Sequence, residues 1–161
     1  MAKRHLLLLS CLMMITAAAT ATTQSSYGAG EGRLAVVASK SFPAEGISFG
    51  DLKRLYMGNA TVIGGKKIVP LTYPKESAER QGFDEAVLGM SADEAGRYWI
   101  DRKIRGQSGP PKSVESSAVV IRVVSKVEGA VGFVPAREAH QKDVKVLRVD
   151  GKLPGEPGYR L

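Results

Sequence analysis

Hydrophobic positions in this chain come in short runs separated by glycine, proline and polar turns, and their spacing shifts from continuous to helical along the sequence. Residues 34–38 (LAVVA) form an unbroken apolar run, as expected of a strand covered on both faces. After a turn at 39–43, Ser48 is followed three residues on by Asp51, with Ile47 and Leu52 placed to pack across the entrance. This predicts a helix that turns Leu52, Leu55 and Tyr56 to one side and stops at Gly58. Val62 and Ile63, the pair Gly64 and Gly65, and the run 68–71 predict a tight turn leading into a second main strand ended by Pro74. A second helix is expected from Ser77, with Phe83, Ala86 and Val87 on one face and Gly89 at its end. A third opens on the capping box of Ser91 and Glu94 and buries Ala95, Tyr98 and Trp99.

Residues 106–111 read as a Gly/Pro loop. Ser116 or Ser117 can cap a fourth helix in which Val120, Val123, Val124 and Val127 recur near the helical period, although so many β-branched residues alone favour a strand. Residues 130–134 and 144–149 read as strands with one helical turn between them, and 150–161, rich in Gly and Pro, as irregular. Strands alternating with helices predict a three-layer α/β/α sandwich built on a largely parallel sheet.

The N-terminal residues stand apart from this pattern. Lys3, Arg4 and His5 precede an apolar run from Leu6 to Ile15, and Ala17, Ala19 and Ala21 are small residues of the kind signal peptidase accepts. Residues 1–21 therefore read as an export signal cleaved near Ala19 or Ala21, which implies a periplasmic protein with no membrane span after cleavage. The run is too short for a span of ~20 residues. Leu8, Leu9, Ser10 and Cys11 offer a lipoprotein reading, but the apolar stretch before Cys11 falls short of the usual ~7 to 15 residues. Residues 22–33 lack an apolar period and read as a flexible lead-in. What remains, 34–161, is one folded unit, in keeping with ~100 to 200 residues per domain for a chain of 161 residues.

Composition then removes several functions. Hydrophobic residues at 43% and charged residues at 24% suit a packed core and not a disordered chain. Cys11 is the only cysteine, so the exported chain has no disulfide, thiol nucleophile or cysteine-bound metal. The net charge of +7 comes from dispersed Lys and Arg, without the dense run of a nucleic-acid arm, and favours at most an anionic solute or acidic partner. His140 is the one histidine outside the signal, and no serine lies in a nucleophile-elbow pattern, so a hydrolase would have to run through His140 alone. No ligand spacing for a metal is present, and no cofactor is implied. Gly64, Gly65, Lys66 and Lys67 lack the spacing and the Ser or Thr of a phosphate-cradling loop. Asp84 with Glu85, and Asp93 with Glu94, are sequence neighbours that do not share a helix face, and read as solvated helix residues.

The segment 72–83 is different, because it sets a strand end, a polar loop and a helix start in succession. In an open α/β sheet, ligands bind beyond the carboxyl ends of the strands, and a helix start there offers unpaired N–H groups to anions. Ser77 with its hydroxyl, the amides of Ala78 and Glu79, and the charges of Lys75 and Arg80 form the candidate site, with Tyr73 beside them and Ser39 at the end of the first strand. The competing reading is that Ser77 only caps its own helix.

Four pieces in order, 47–58 (ISFGDLKRLYMG), 69–83 (VPLTYPKESAERQGF), 129–135 (GAVGFVP) and 150–161 (DGKLPGEPGYRL), resemble the contiguous lobe of the periplasmic phosphate-binding proteins of ABC importers and their short single-lobe relatives. The resemblance implies one lobe of a type 2 periplasmic binding protein, no catalysis, and a small oxyanion such as phosphate held at the strand-to-helix segment. There the family carries an arginine and then Ser-Gly-Thr. This chain keeps Ser77, Arg80 and Phe83 but has Tyr73 in place of the arginine, Ala78 of the glycine and Glu79 of the threonine. Losing the guanidinium and gaining a carboxylate implies weak or altered anion binding. A single lobe leaves an anion on an open face, so tight capture would need a second wall, from a homodimer or another envelope protein. The rival reading is a non-catalytic interaction module that keeps the lobe as scaffold and uses the cleft face, or Tyr73, Lys75 and Arg80, against an envelope partner.

Overall fold

A computed structural model describes residues 33–161; the expected signal, and the lead-in up to residue 32, lie outside them. The chain runs β1 (Leu34–Ser39), β2 (Gly46–Ile47), α1 (Phe49–Tyr56), β3 (Val62–Ile63), β4 (Lys66–Lys67), β5 (Val69–Thr72) and α2 (Ala78–Phe83). It continues as a π-turn (Asp84–Leu88), α3 (Ala92–Ile104), β6 (Lys112–Ser113), α4 (Ser117–Lys126), β7 (Ala130–Pro135), a 3-10 turn (Ala136–Glu138), β8 (Val144–Val146) and β9 (Arg148–Val149). The helix starts follow the local chemistry. The hydroxyls of Ser48, Ser77, Ser91 and Ser116 each accept an N–H three residues on, and Ser91 and Glu94 close a reciprocal box. Gly64 and Gly65, both at positive φ, turn β3 into β4 as a hairpin.

The main sheet has the order β6-β5-β7-β1-β8 and is mixed, where alternation of elements predicted it largely parallel. β5, β6 and β7 are joined through helices and pair in parallel, but β1 is antiparallel to both β7 and β8. Alternation fixes the direction only of strands linked by a crossover. β1 is inserted between strands far along the chain, and its six buried residues select the centre of the sheet without selecting a direction.

Helices cover both faces. A Cβ on Gly132 would lie 2.5 Å from the Val120 side chain of α4, so that helix sits against one face of β7. On the other, Phe133 stacks on Phe83 with ring centroids 3.9 Å apart and meets the edge of Tyr56 from α1 at 5.8 Å. The π-turn widens the helix after α2, so Phe83, Asp84, Val87 and Leu88 are buried and Ala86, expected inside, is exposed. Tyr98 is only half-buried and donates to the Met57 carbonyl at 2.8 Å. Val123 is half-buried and Val127 exposed, because α4 stops at Lys126. The expected strand 144–149 splits at buried Leu147, whose N–H donates to the Val36 carbonyl at 2.8 Å while β9 pairs with β2. The tail is irregular yet attached: Tyr159 donates to the Leu34 carbonyl at 2.8 Å, and the Arg160 guanidinium lies 3.6 Å from the Phe49 ring centroid.

Gly129 marks a close crossing. It has φ +77, and a Cβ there would lie 2.3 Å from the Lys67 carbonyl oxygen. Gly129→Ala is expected to cost about 2 to 3 kcal/mol, combining strain with the clash. Gly65→Ala, equally strained at φ +78 but with open space around it, is expected to cost about 1. Urea unfolding of the two variants separates the contributions.

Candidate functional site

The carboxyl ends of β5 and β7 and the start of β1 share one edge of the sheet, since Leu34 pairs with Pro135 while β5 and β7 run parallel. The chain leaves β5 at Thr72, passes Tyr73 and an exposed loop, and enters α2 at Ser77. The segment sets Tyr73, Lys75, Ser77, Ala78, Glu79 and Arg80 at this end of the sheet but on two pockets: Ala78 and Glu79 border one with Arg33 and Arg137, whereas Tyr73, Lys75 and Arg80 border another with Asp84, Trp99 and Pro110. Ser39 is not among them. It ends β1 at the opposite edge, where its Oγ lies 3.0 Å from that of Ser41 beside a cleft lined by Lys40, Lys126 and Asp143. Because β1 is antiparallel, its five residues of travel put Ser39 roughly 16 Å from the Leu34 edge at ~3.3 Å per residue.

Most of the assembled groups are engaged within the protein. The Ser77 hydroxyl donates to the Pro74 carbonyl at 2.9 Å and accepts from the Arg80 N–H at 3.2 Å. The Arg80 side chain, 13% exposed, donates through Nε to Asp84 at 2.6 Å and through one terminal nitrogen to Thr72 Oγ1 at 2.9 Å. Asp84, expected as a solvated helix residue, is buried, and the burial pushes its carboxyl above the ordinary range against the pull of Arg80. The four-residue spacing of Arg80 and Asp84 was the available signal for this pair. Lys75 pairs with Asp93 across the exposed surface at 2.7 Å, which raises the Lys75 pKa and lowers that of Asp93.

Tyr73 is 2% exposed. Its hydroxyl donates to the Phe133 carbonyl at 2.9 Å and lies 3.2 Å from Ser117 Oγ at the start of α4. Burial pushes the phenol up to about 12, with the Ser117 contact opposing. Tyr73 thus packs in the core and offers no surface to a protein partner. The α2 entrance also faces solvent. The amides of Ala78 and Glu79 have no acceptor among the described residues, and with Gly82 these two border a pocket of about 280 Å³ completed by Arg33, Leu34, Pro135 and Arg137. The sequence reading missed Arg33 and Arg137, which belong to the lead-in and to the turn after β7. Only the strand pairing brings them to this edge.

The other expectations fall elsewhere. His140 is exposed, after the 3-10 turn. Lys66 pairs with Glu128 beside the hairpin. Trp99 is 7% exposed and packs between Gly58, Tyr98 and the loop before β6, apart from the main core. Among the described residues, no group of three His, Cys, Asp or Glu is placed to hold a metal, and no helix is long and apolar enough to cross a membrane.

No protein-family model and no curated protein matches the sequence. Solved structures match the fold. An ABC-type phosphate transport receptor from Vibrio cholerae aligns with 75% of this chain and 47% of its own, at 22% identity and a TM-score of 0.61. PstS from Borrelia burgdorferi aligns over 75% and 48% respectively, at 19% identity and a TM-score of 0.59. A third structure, from Clostridium perfringens with bound phosphate, aligns over 75% and 46%, at 21% identity and a TM-score of 0.59. The chain spans about half the length of these proteins, and its fold is that of one lobe of a type 2 periplasmic binding protein.

Proposed function

We propose that the chain is a non-catalytic, periplasmic module of the solute-binding kind, related to the phosphate-binding components of ABC importers, that takes small oxyanions such as phosphate weakly at the α2 entrance. The observation that carries this reading is the state of the donors. The amides of Ala78 and Glu79 are open beside Arg33 and Arg137, while Ser77 and Arg80 are held by Pro74, Thr72 and Asp84. Exposed charge at a helix start contributes roughly 0.3 to 1 kcal/mol per contact. A few such contacts reach about the 4 kcal/mol of millimolar binding, and the Glu79 carboxylate acts against them.

Calorimetric titration of the purified chain at low ionic strength is expected to give a phosphate Kd of about 1 mM or weaker, tightened a few-fold by Glu79→Gln. A sub-micromolar Kd for the monomer overturns the reading. The internal satisfaction of Tyr73, Ser77 and Arg80 also supports a second reading, an interaction module that has lost its solute. That reading requires no thermal stabilisation by phosphate or sulfate, together with co-purification of an envelope protein.

A further inference from the structure

Helix α3 leaves an apolar ridge uncovered. Four large apolar side chains are exposed among the described residues, and two of them, Ile100 at 62% and Ile104 at 80%, are one turn apart on α3. They continue a four-residue row that starts with half-buried Ala92 and Gly96, at the rim of the cleft that holds Lys75 and Arg80, and a Cβ on Gly96 would meet nothing within 4 Å. The row therefore has a small end and a bulky end. Charge divides the same way, with Asp93 and Glu94 in the first turn, Arg102 and Lys103 in the last, and both Asp93 and Lys103 exposed.

We propose that the occupant of this ridge is a second copy of the chain, packed antiparallel about a two-fold axis between Gly96 and Ile100. That register sets Ala92 against Ile104 of the second copy, Gly96 against Ile100, and Asp93, which also pairs with Lys75 of its own chain, against Lys103, each contact made twice. Rows at four-residue spacing interdigitate in the commonest class of helix packing, and a glycine at the crossing lets the two backbones approach. A parallel arrangement sets acid on acid, base on base and bulk on bulk. The complement of this surface is thus present on the surface itself, which is the requirement of an isologous contact. The charges here come close to balance, with Asp93, Glu94 and Asp101 against Arg97, Arg102, Lys103 and Arg105, so little of the net positive charge of the chain is concentrated on this helix. One helix face buries less than the ~1,000 Å² of a stable interface, which makes the dimer weak and reversible.

Sedimentation velocity of the purified chain at low salt, from about 10 μM to about 1 mM, is expected to show a concentration-dependent monomer–dimer equilibrium. Ile104→Glu is expected to weaken it at least about tenfold, with the circular dichroism spectrum unchanged because the side chain is exposed in the monomer. The register is tested by charge reversal. Asp93→Lys and Lys103→Asp each repel their own copies, and an equimolar mixture of the two forms a heterodimer that neither forms alone. A wild-type chain still monomeric at the top concentration, a dimer indifferent to Ile104→Glu, or a mixture without recovery overturns the proposal. The pocket of Ala78 and Glu79 contains no residue of α3, so the wild-type phosphate titration and the dimer test fail independently.

Discussion

Phe133→Ala is expected to lower the unfolding free energy by about 3 to 5 kcal/mol, the range for deleting a buried aromatic ring, and the melting temperature by about 10 to 20 °C for a folded unit of this size. The ring is fully buried and joins three parts of the fold at once. It stacks on Phe83 at 3.9 Å, meets the Tyr56 edge at 5.8 Å and lies 5.2 Å from Tyr73. The resulting cavity cannot easily collapse, because β7 is held between β1 on one side and β5 on the other. Phe133→Leu keeps most of the volume and is expected to cost well under half as much. Val62→Ala, at a side chain 58% exposed, is expected to stay within about 0.5 kcal/mol. Differential scanning calorimetry checks all three, and a loss below about 1 kcal/mol for Phe133→Ala removes this cluster as the anchor of the candidate site.

That anchor explains why some features were legible in the sequence and others were not. The strand 34–38, the four serine caps and the Gly64–Gly65 hairpin depend on residues within a few positions of one another, and the chemistry that specifies each is local. The direction of β1 is a different matter. Its partners Val131 and Val146 lie about a hundred residues away, and an unbroken apolar run encodes burial on both faces without encoding polarity. Placing Ser39 with Ser77 follows from assuming parallel strands, and it fails with that assumption. The π-turn is equally silent, because one extra residue in a turn changes the buried face from Ala86 to Leu88 without an altered composition.

The site itself was half legible. Its elements and their order were read correctly, whereas the occupancy of its donors was not. At Tyr73, where the resemblance leads one to expect an arginine, an aromatic ring has a buried aromatic cluster to join and a strand carbonyl to bond, so it turns inward. Arg80 finds Asp84 one turn away and the Thr72 hydroxyl beneath, and its charge is spent within the protein. The positive groups at the pocket, Arg33 and Arg137, the latter paired with neighbouring Glu138 at 3.5 Å, come from segments that no local pattern ties to Ser77.

Arg80→Met is expected to cost about 3 to 5 kcal/mol at pH 7, because it leaves the Asp84 carboxylate buried without its counter-charge. The double variant Arg80→Met with Asp84→Leu removes both charges and is expected to recover most of the loss, giving a large coupling in the double-mutant cycle. The pH dependence has a definite sign. Burial already raises the Asp84 pKa above its ordinary 3.8, and removing Arg80 raises it further. Between the unfolded and folded values the folded protein binds more protons, so the contribution of this group to stability is greatest below 3.8 and declines as pH rises through the raised folded value. The destabilisation by Arg80→Met is therefore smaller at pH 4 than at pH 7, as measured by urea unfolding at both. An arginine free to hold an anion would give the opposite pattern: a small cost, no dependence on Asp84 and none on pH. That result would return Arg80 to the binding surface and sink the account of a site whose strongest cation has been taken into the framework.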